Sequence, residues 1–171
     1  MKRFLLFFLT LTLLLPTLSG CGDRLNEPDH DLEFWITENV DDFDFSGHQP
    51  KYGIMGGYEY YGTGYVPTIG EDGQQVDPEH CVIYTITNYP DYSSNSLCVT
   101  RIEITDPAVT VYGLSLSSTA DEIKSVMTAE GFTITGNDTA IRAEKGNIRF
   151  TFSRHSIMIS AEVTNRLGII Y

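Results

Sequence analysis

Basic residues are scarce in this chain of 171 residues. Eleven lysines and arginines stand against 23 aspartates and glutamates, which gives a net charge of −12. A domain with this charge is repelled by nucleic acid and by anionic lipid head groups. The composition therefore argues against nucleic acid as a partner.

Motifs of common catalytic and metal sites are also missing. The sequence contains no Walker loop, no dinucleotide fingerprint and no zinc spacing. Gly113 to Ser117 lacks the second glycine of a nucleophile elbow. We therefore expect no enzyme, no catalytic residue, no metal and no cofactor. The histidines are scattered without metal-binding spacing, at His30, His48, His80 and His155.

The longest apolar run is too short to span a bilayer. Phe4 to Leu15 covers 12 residues, whereas a membrane-spanning helix needs about 20. Lys2 and Arg3 precede this run, and Leu18-Ser19-Gly20-Cys21 follows it. A charged start, a short apolar run and small residues before a cleavage point predict a signal peptide over residues 1–20.

The residues Leu18-Ser19-Gly20-Cys21 resemble the bacterial lipobox. That resemblance implies a lipoprotein: Cys21 receives a diacylglyceryl group, and cleavage before it leaves the chain anchored in the lipid bilayer on the extracytoplasmic face of the cell membrane. An ordinary secretory signal with a chance cysteine is the alternative. Residues 21–31 are polar, contain a proline and predict a flexible stalk after the acylated cysteine.

Cleavage removes Lys2 and Arg3, so the net charge falls from −12 to −14. We expect this acidic domain to stand away from the membrane that holds it. No break in composition divides residues 32–171, which predicts a single α+β domain. Its expected architecture is a mostly antiparallel β-sheet with one short helix, at about residues 119–130, packed on one face.

The C-terminal module, residues 113–163, has the clearest local signals. Thr119 and Glu122 form the pattern of a capping box at a helix start, and Gly131 is a typical helix stop. Between them lies a narrow apolar stripe, which needs a sheet to cover it. The stripe consists of Ile123, Val126 and Met127.

Three strands are predicted after this helix, over residues 140–144, 148–153 and 157–163. In the second, Ile148, Phe150 and Phe152 alternate with polar residues, and the third alternates in the same way. Such alternation is typical of antiparallel strands with one dry face and one face in water. We expect tight turns at residues 145–147 and 154–156.

The order of these elements resembles a unit found in bacterial lipoproteins. The chain continues with a GLSL strand, a helix with the sequence STADEIKSVM, a GF stop and hairpins that end in IMISAEV. This order is similar to that of the SmpA/OmlA (BamE-like) and β-lactamase-inhibitory-protein-like families. The resemblance covers the last third of the chain. It implies a helix-plus-sheet fold with a binding or scaffolding role, and it implies no catalytic residue.

Upstream segments predict further strands. Leu32, Phe34 and Ile36 alternate with Glu33, Trp35 and Thr37, which indicates an edge strand before an acidic turn. The aspartates of that turn lack the spacing of a calcium loop. Residues 71–74, with Asp72-Gly73, predict a hairpin turn.

Residues 81–88 and 97–105 are predicted to form the two arms of a hairpin. If they pair symmetrically, Cys81 and Cys98 lie too far apart along the arms for a disulfide, so we expect two free, buried thiols. One hairpin face is expected to be apolar and to include Thr100. The expected water-facing residues are Thr85, Thr87, Arg101 and Glu103.

The segment GGYEYYGTGY, residues 56–65, is rich in tyrosine and glycine. Exposed tyrosines stack on sugar rings and also anchor protein interfaces. The alternative is a plain strand, in which Tyr58 and Tyr60 face one side, Tyr61 faces the other, and one pair of rings packs in the core. The candidate binding residues are Tyr58, Tyr60, Tyr61 and Tyr65.

These observations favour a membrane-anchored lipoprotein that binds an envelope protein without catalysing a reaction. The second hypothesis is a glycan-binding or solute-binding lipoprotein that uses the tyrosines of residues 58–65. The third is a small hydrolase, which would need a pocket with convergent titratable side chains.

Overall fold

A computed structural model of the chain describes residues 36–37, 45, 47–51, 57–91 and 95–163. The predicted signal peptide, Cys21, the stalk and most of the strand predicted near residues 32–36 lie outside these ranges. No helix in the described ranges is long and apolar enough to cross a membrane.

Ten strands and one helix make up the described part of the chain. The helix, α1, covers Ala120–Ala129. The strands are β1 (Gln49–Lys51), β2 (Tyr58–Tyr61), β3 (Thr68–Ile69), β4 (Gln75–Val76), β5 (Val82–Asn88), β6 (Leu97–Ile104), β7 (Thr133–Asn137), β8 (Ala140–Lys145), β9 (Ile148–Ser153) and β10 (Ile157–Ala161).

Eight of the strands form one sheet in the order β1-β2-β5-β6-β10-β9-β8-β7, and β3 and β4 form a separate hairpin. Every pairing is antiparallel. After β6 the chain forms α1, reaches the far edge of the sheet at β7 and returns strand by strand until β10 pairs with β6. The prediction of an α+β fold dominated by antiparallel strands is confirmed.

Both predicted ends of the helix are confirmed. The Thr119 hydroxyl accepts a hydrogen bond from the backbone N–H of Glu122 at 3.3 Å, and the Glu122 carboxylate accepts one from the Thr119 N–H at 2.8 Å. Gly131 has a φ of +85°. Its N–H bonds to the Thr128 carbonyl, and the next N–H bonds to the Met127 carbonyl, which forms a Schellman motif.

Strand β7 was not among the predicted strands. Its sequence, Thr-Ile-Thr-Gly-Asn, contains one large apolar residue, Ile134, which is only half-buried. Gly136 has a φ of +94° and lies against the Ala140 carbonyl, so the strand is irregular near its end. With one apolar position, the segment shows no alternation that would predict a strand.

The meander β8–β10 has the dry face and the wet face that its sequence predicts. Phe150, Phe152, Ile157 and Ile159 are buried, and the register places them on one side of the sheet. The opposite side is at least partly exposed, and we call it the wet face. It consists of Arg101, Glu103, Thr133, Thr135, Arg142, Glu144, Arg149, Thr151, Met158 and Ser160.

The predicted GLSL strand is wrong. Val111 and Leu114 exchange two backbone hydrogen bonds of 2.8 Å around Tyr112 and Gly113, which both have positive φ. This geometry is a tight turn of the type that joins hairpin strands. The Tyr112 ring packs near Phe132 and Phe150, so tertiary contacts hold a non-glycine residue in the left-handed region.

The predicted water-facing side of the β5–β6 hairpin is also partly wrong. Thr85 and Thr87 are buried, as are all the residues from Val82 to Thr87. The register shifts by one residue between Thr85 and Ile86, which leaves Thr100 without a paired position. The Thr100 hydroxyl therefore meets the Thr87 hydroxyl, at 2.9 Å, instead of joining the apolar face.

Cys81 and Cys98 are free and buried, as predicted. Cys81 lies opposite Thr105, since the Thr105 N–H bonds to the Cys81 carbonyl at 2.8 Å. Cys98 pairs with Thr87, near the other end of the hairpin. The length of the arms separates the two thiols.

We call β1, β2, β5 and β6 the front half of the sheet. An aromatic cluster packs on it, with Phe45 4.8 Å from the Tyr60 ring and 5.1 Å from the His48 ring.

The predicted turn at residues 71–74 is confirmed: it joins β3 to β4, and Gly73 has a φ of +77°.

Candidate functional site

The tyrosine-rich segment forms β2 and the turn that follows it. Tyr58 is 59% exposed, whereas Tyr61 and Tyr65 are buried. Tyr60 is half-buried against Phe45. The Tyr65 hydroxyl donates a hydrogen bond to Asp106 at 2.9 Å, so its polar end is satisfied inside the fold.

The structure does not bring the four tyrosines together on one exposed surface. Tyr58 and Tyr60 pair with Ile86 and Tyr84, while Tyr61 pairs with Ile83 on the opposite side of the sheet. This is the orientation that the plain-strand interpretation predicts. Of the four candidates, Tyr58 alone presents most of its ring to solvent.

Tyr58 borders an open groove of about 410 Å³, which is also lined by Gly57, Asn88 and Leu97. Gly57 lies so close to the Ile86 carbonyl that a Cβ there would be 2.7 Å from its oxygen. The glycine thus lets the strands approach beside the exposed ring. A groove with an aromatic ring and an amide suits a sugar or a peptide better than an ion.

A second cluster of polar side chains lies at the start of the sheet. Lys51 reaches Asp77 at 2.8 Å and Glu59 at 3.7 Å. The Tyr61 hydroxyl donates to the other carboxylate oxygen of Asp77 at 2.5 Å, and Thr85 donates to Glu59 at 3.2 Å. Asp77 follows β4, so these contacts hold the β3–β4 hairpin against β1 and β2.

Tyr61 and Lys51 each keep one protonation state near neutral pH. Burial and the Asp77 carboxylate raise the pKa of Tyr61 well above its usual range, so the phenol stays protonated. Burial opposes the charge of Lys51, but the hydrogen bond and charge of Asp77 outweigh it and raise the pKa of the ammonium. A neutral phenol and a permanent cation are poor general bases, so this cluster fits a structural role.

The two buried cysteines are also unsuited to nucleophilic chemistry. Burial raises the pKa of both thiols, which keeps them protonated near neutral pH. The Cys81 sulfur lies 3.6 Å from the Thr105 hydroxyl. His80 points its Nδ1 to the Thr105 carbonyl, at 3.2 Å, so the neighbouring imidazole is engaged elsewhere.

A cavity of about 220 Å³ opens beside the β8–β9 turn and includes part of the wet face. Its one arginine, Arg149, bonds to Glu144 at 2.7 Å and lies 4.0 Å from Glu162. Two carboxylates beside one guanidinium leave little positive charge for an anionic ligand. A smaller cavity of about 70 Å³ lies at the start of α1.

No group of three or more metal-ligating side chains occurs among the described residues. The predicted lipidation residue, Cys21, lies outside them. The wet face brings three arginines and two glutamates together around Met158, and of these six side chains Arg142 is exposed and the other five are half-buried.

The cluster of Lys51, Asp77 and Tyr61 was not predicted from the sequence. Register places Lys51 beside Glu59, but the segment that contains Lys51 showed no strand pattern. Asp77 comes from a loop that lies 26 residues further along the chain. No local motif joins these positions, so sequence reasoning had no signal with which to find the site.

No family model matches this chain, and neither a curated protein nor a solved structure shows a significant match to it. The resemblance to lipoprotein modules therefore depends on the residues of the last third and on the lipobox alone.

Proposed function

We propose that this chain is a bacterial lipoprotein, anchored at the extracytoplasmic face of the cell membrane through acylated Cys21, whose α+β domain binds a protein of the cell envelope without catalysing a reaction. The lipobox supports the anchor. The net charge of −14 after cleavage supports a domain that stands away from lipid head groups.

The wet face is the observation that carries the binding proposal. Its rows of arginine, glutamate and threonine run across five strands, with Met158 at the centre. Arginine and methionine are enriched in protein interfaces. The exposed Arg142 has no ion pair with another described residue within the usual distance, so it remains available to a partner's carboxylate.

We further infer that α1 lies on the dry face and thereby leaves the wet face open. The helix contacts β7 and β8, and its Ile123 and Met127 are buried. Ile123 also lines one cavity with Ile141 and Phe152, which both point to the dry side. An uncovered sheet face opposite a helix layer is a common way to present a binding surface.

The anchor is tested by labelling cells with a radioactive fatty acid. The wild-type chain should take up label and sediment with membranes, and Cys21→Ser should lose both properties. Cys98→Ser is the matched control, since its thiol is buried and should carry no lipid. Equal labelling of the Cys21→Ser variant would contradict the lipoprotein proposal.

The binding role is tested by capture from a detergent extract of the cell envelope, with the full-length chain immobilised and the eluted proteins and sugars analysed together. We expect one dominant protein, lost when Arg142→Glu reverses a charge on the wet face. Arg154→Glu, in the exposed β9–β10 turn, is the control with the same charge change. Equal capture by both variants would remove the wet face from the proposal.

A glycan-binding function is the second candidate, because Tyr58 is exposed beside a groove of about 410 Å³. Retention on a cell-wall polysaccharide should then be lost in Tyr58→Ala with the unfolding midpoint nearly unchanged. Val66→Ala is a control, since Val66 is 69% exposed and lies outside the groove. Sugar without protein in the capture experiment would favour this function.

A further inference from the structure

The two edges of the eight-stranded sheet are built differently. Strand β1 has three residues and contains Pro50 and Lys51. The Lys51 ammonium is paired with Asp77 at 2.8 Å, and the Gln75 side chain donates to the Pro50 carbonyl at 3.4 Å. Proline, lysine and covering side chains are common devices that keep an edge strand from pairing with another chain.

Strand β7, at the opposite edge, contains neither proline nor lysine. Its five residues include no charge, and among the strands that the structure describes it pairs with β8 alone. Thr133, Thr135 and Asn137 are exposed. Antiparallel pairing uses the N–H and C=O groups of alternate residues, so the outer backbone groups of β7 are not paired with any other described strand.

We propose that β7 is an interaction edge that pairs with β7 of a second copy of this chain, so that the two sheets join as one antiparallel sheet. A two-fold axis at Thr135 places that residue opposite its own copy. Ile134 then lies opposite Gly136, where the absent side chain leaves room, and Thr133 lies opposite Asn137. Threonine pairs across antiparallel strands are favourable, and the contact is self-complementary, as a two-fold interface requires.

The charge at this edge does not oppose pairing with a second copy, because β7 itself is uncharged. The chain carries a net charge of −12, so two copies repel over most of their surfaces. At β7 the strand itself is uncharged, and the neighbouring β8 carries Arg142 and Glu144 of opposite sign on its wet side. A basic peptide finds no carboxylate on β7 to attract it. Salt should strengthen the pairing of two copies, because screening weakens their overall repulsion.

The first test is the mass of the full-length chain, solubilised in detergent, by light scattering and sedimentation over a range of protein concentrations. The wild-type chain should dimerise more tightly at about 300 mM salt than at about 20 mM. Thr135→Lys places two lysines opposite each other and should weaken the dimer about tenfold or more. Thr110→Lys makes the same charge change in an exposed loop and should leave the dimer intact.

Crosslinking provides the second measurement. Paired Cα atoms of antiparallel strands lie about 4.5 to 5.5 Å apart, within the range of a disulfide. In a Cys21→Ser background the native thiols at residues 81 and 98 are buried. Mild oxidation should then link two Thr135→Cys chains and should not link two Thr110→Cys chains.

Three results would overturn the proposal. They are a wild-type chain that stays monomeric at all concentrations, a dimer that Thr135→Lys leaves unchanged, and equal crosslinking at the two cysteine positions. Because Thr135 also lies on the wet face, the mass and the crosslinking of the isolated chain decide the proposal, and capture of an envelope protein does not. None of these results depends on whether the wet face binds a protein.

Discussion

The front half of the sheet and the meander β8–β10 differ in what covers their two faces. In β10, buried and half-exposed residues alternate, so one face is dry and the other meets water. In β5, six successive residues are buried, so side chains on both faces are removed from water. Alternating apolar and polar residues predict which side chains are buried only in a strand that has one face in water. Burial is therefore predictable from the sequence in β10 but not in β5.

The largest effect that this comparison predicts is at Phe150. Its ring is fully buried on the dry face, 5.2 Å from Phe132 and 6.1 Å from Phe152. Phe150→Ala should lower the free energy of unfolding by about 3–5 kcal/mol, because it removes buried apolar surface and leaves a cavity. Urea unfolding followed by circular dichroism measures this change.

Thr151→Ala is the control on the wet face of the same strand. Its cost should stay within about 0.5 kcal/mol, since a half-exposed side chain away from the core contributes little to stability. A cost for Thr151→Ala that approached that of Phe150→Ala would break the distinction between the two faces.

The second prediction concerns the buried threonines of the front half. The hydroxyls of Thr87 and Thr100 are 2.9 Å apart, and Thr100 lies 3.4 Å from the Thr85 carbonyl. Thr100→Val should cost about 1–3 kcal/mol, because it leaves the Thr87 hydroxyl buried without that partner. Chemical unfolding of the variant gives the value.

Replacing both hydroxyls provides the decisive comparison. The double variant Thr87→Val/Thr100→Val should recover most of the loss, since two apolar groups of similar shape leave no unsatisfied donor. If the double variant instead cost as much as the two single variants together, the two hydroxyls would not depend on each other. This face of the sheet would then be more hydrated than its burial indicates.

The part of the fold predicted from sequence was the part with strong local rules. Thr119, Glu122 and Gly131 fixed α1 within one residue at each end, because capping depends on neighbours in sequence. The alternation of apolar and polar residues predicted the positions of β9 and β10. Strand β7 and the turn at Tyr112 were missed, since they depend on pairing with β8 and on packing against Phe132 and Phe150.

The front half was harder to predict for a physical reason. The register shift between β5 and β6 leaves Thr100 as an extra residue in β6, and no residue near Thr85 or Ile86 marks that shift in the sequence. The same limit applies to the tyrosines. The alternation of side chains along a strand predicts that Tyr58 and Tyr61 face opposite sides of the sheet. The surroundings of Tyr61 also include Asp77, which follows the β3–β4 hairpin and is distant in sequence.

The third prediction concerns the attachment of that hairpin. Burial raises the pKa of Asp77, but hydrogen bonds from Lys51 and Tyr61 and the charge of Lys51 outweigh it, so the folded pKa lies below the ordinary 3.8. A lowered carboxyl pKa stabilises the fold above pH 3.8, and this contribution is lost as the pH falls through the folded value. Asp77→Asn should therefore destabilise the chain at pH 7 by about 1 kcal/mol at most, since Asp77 is half-exposed and its ion pair is screened.

The pH dependence separates this effect from a loss of packing. The difference between the wild-type chain and Asp77→Asn should shrink as the pH falls below 3.8, where the wild-type carboxylate becomes protonated. Glu71→Gln removes a charge from the exposed turn of the same hairpin and should change the stability little at pH 7. A difference that stayed constant into the acid range would mean that the charge of Asp77 does not hold the hairpin in place.

The smallest predicted effect lies on the wet face, where Arg149 and Glu144 are paired across strands at 2.7 Å. Their side chains are 39% and 41% exposed. Water and ions screen such a pair, so a double-mutant cycle with Arg149→Gln and Glu144→Gln should give a coupling energy of about 0.5 kcal/mol that disappears near 1 M salt. A coupling above about 2 kcal/mol that persisted in salt would place the pair in a dry environment. In that case the meander would be covered on both faces, as β5 is, and the wet face would not be a surface that a partner can reach.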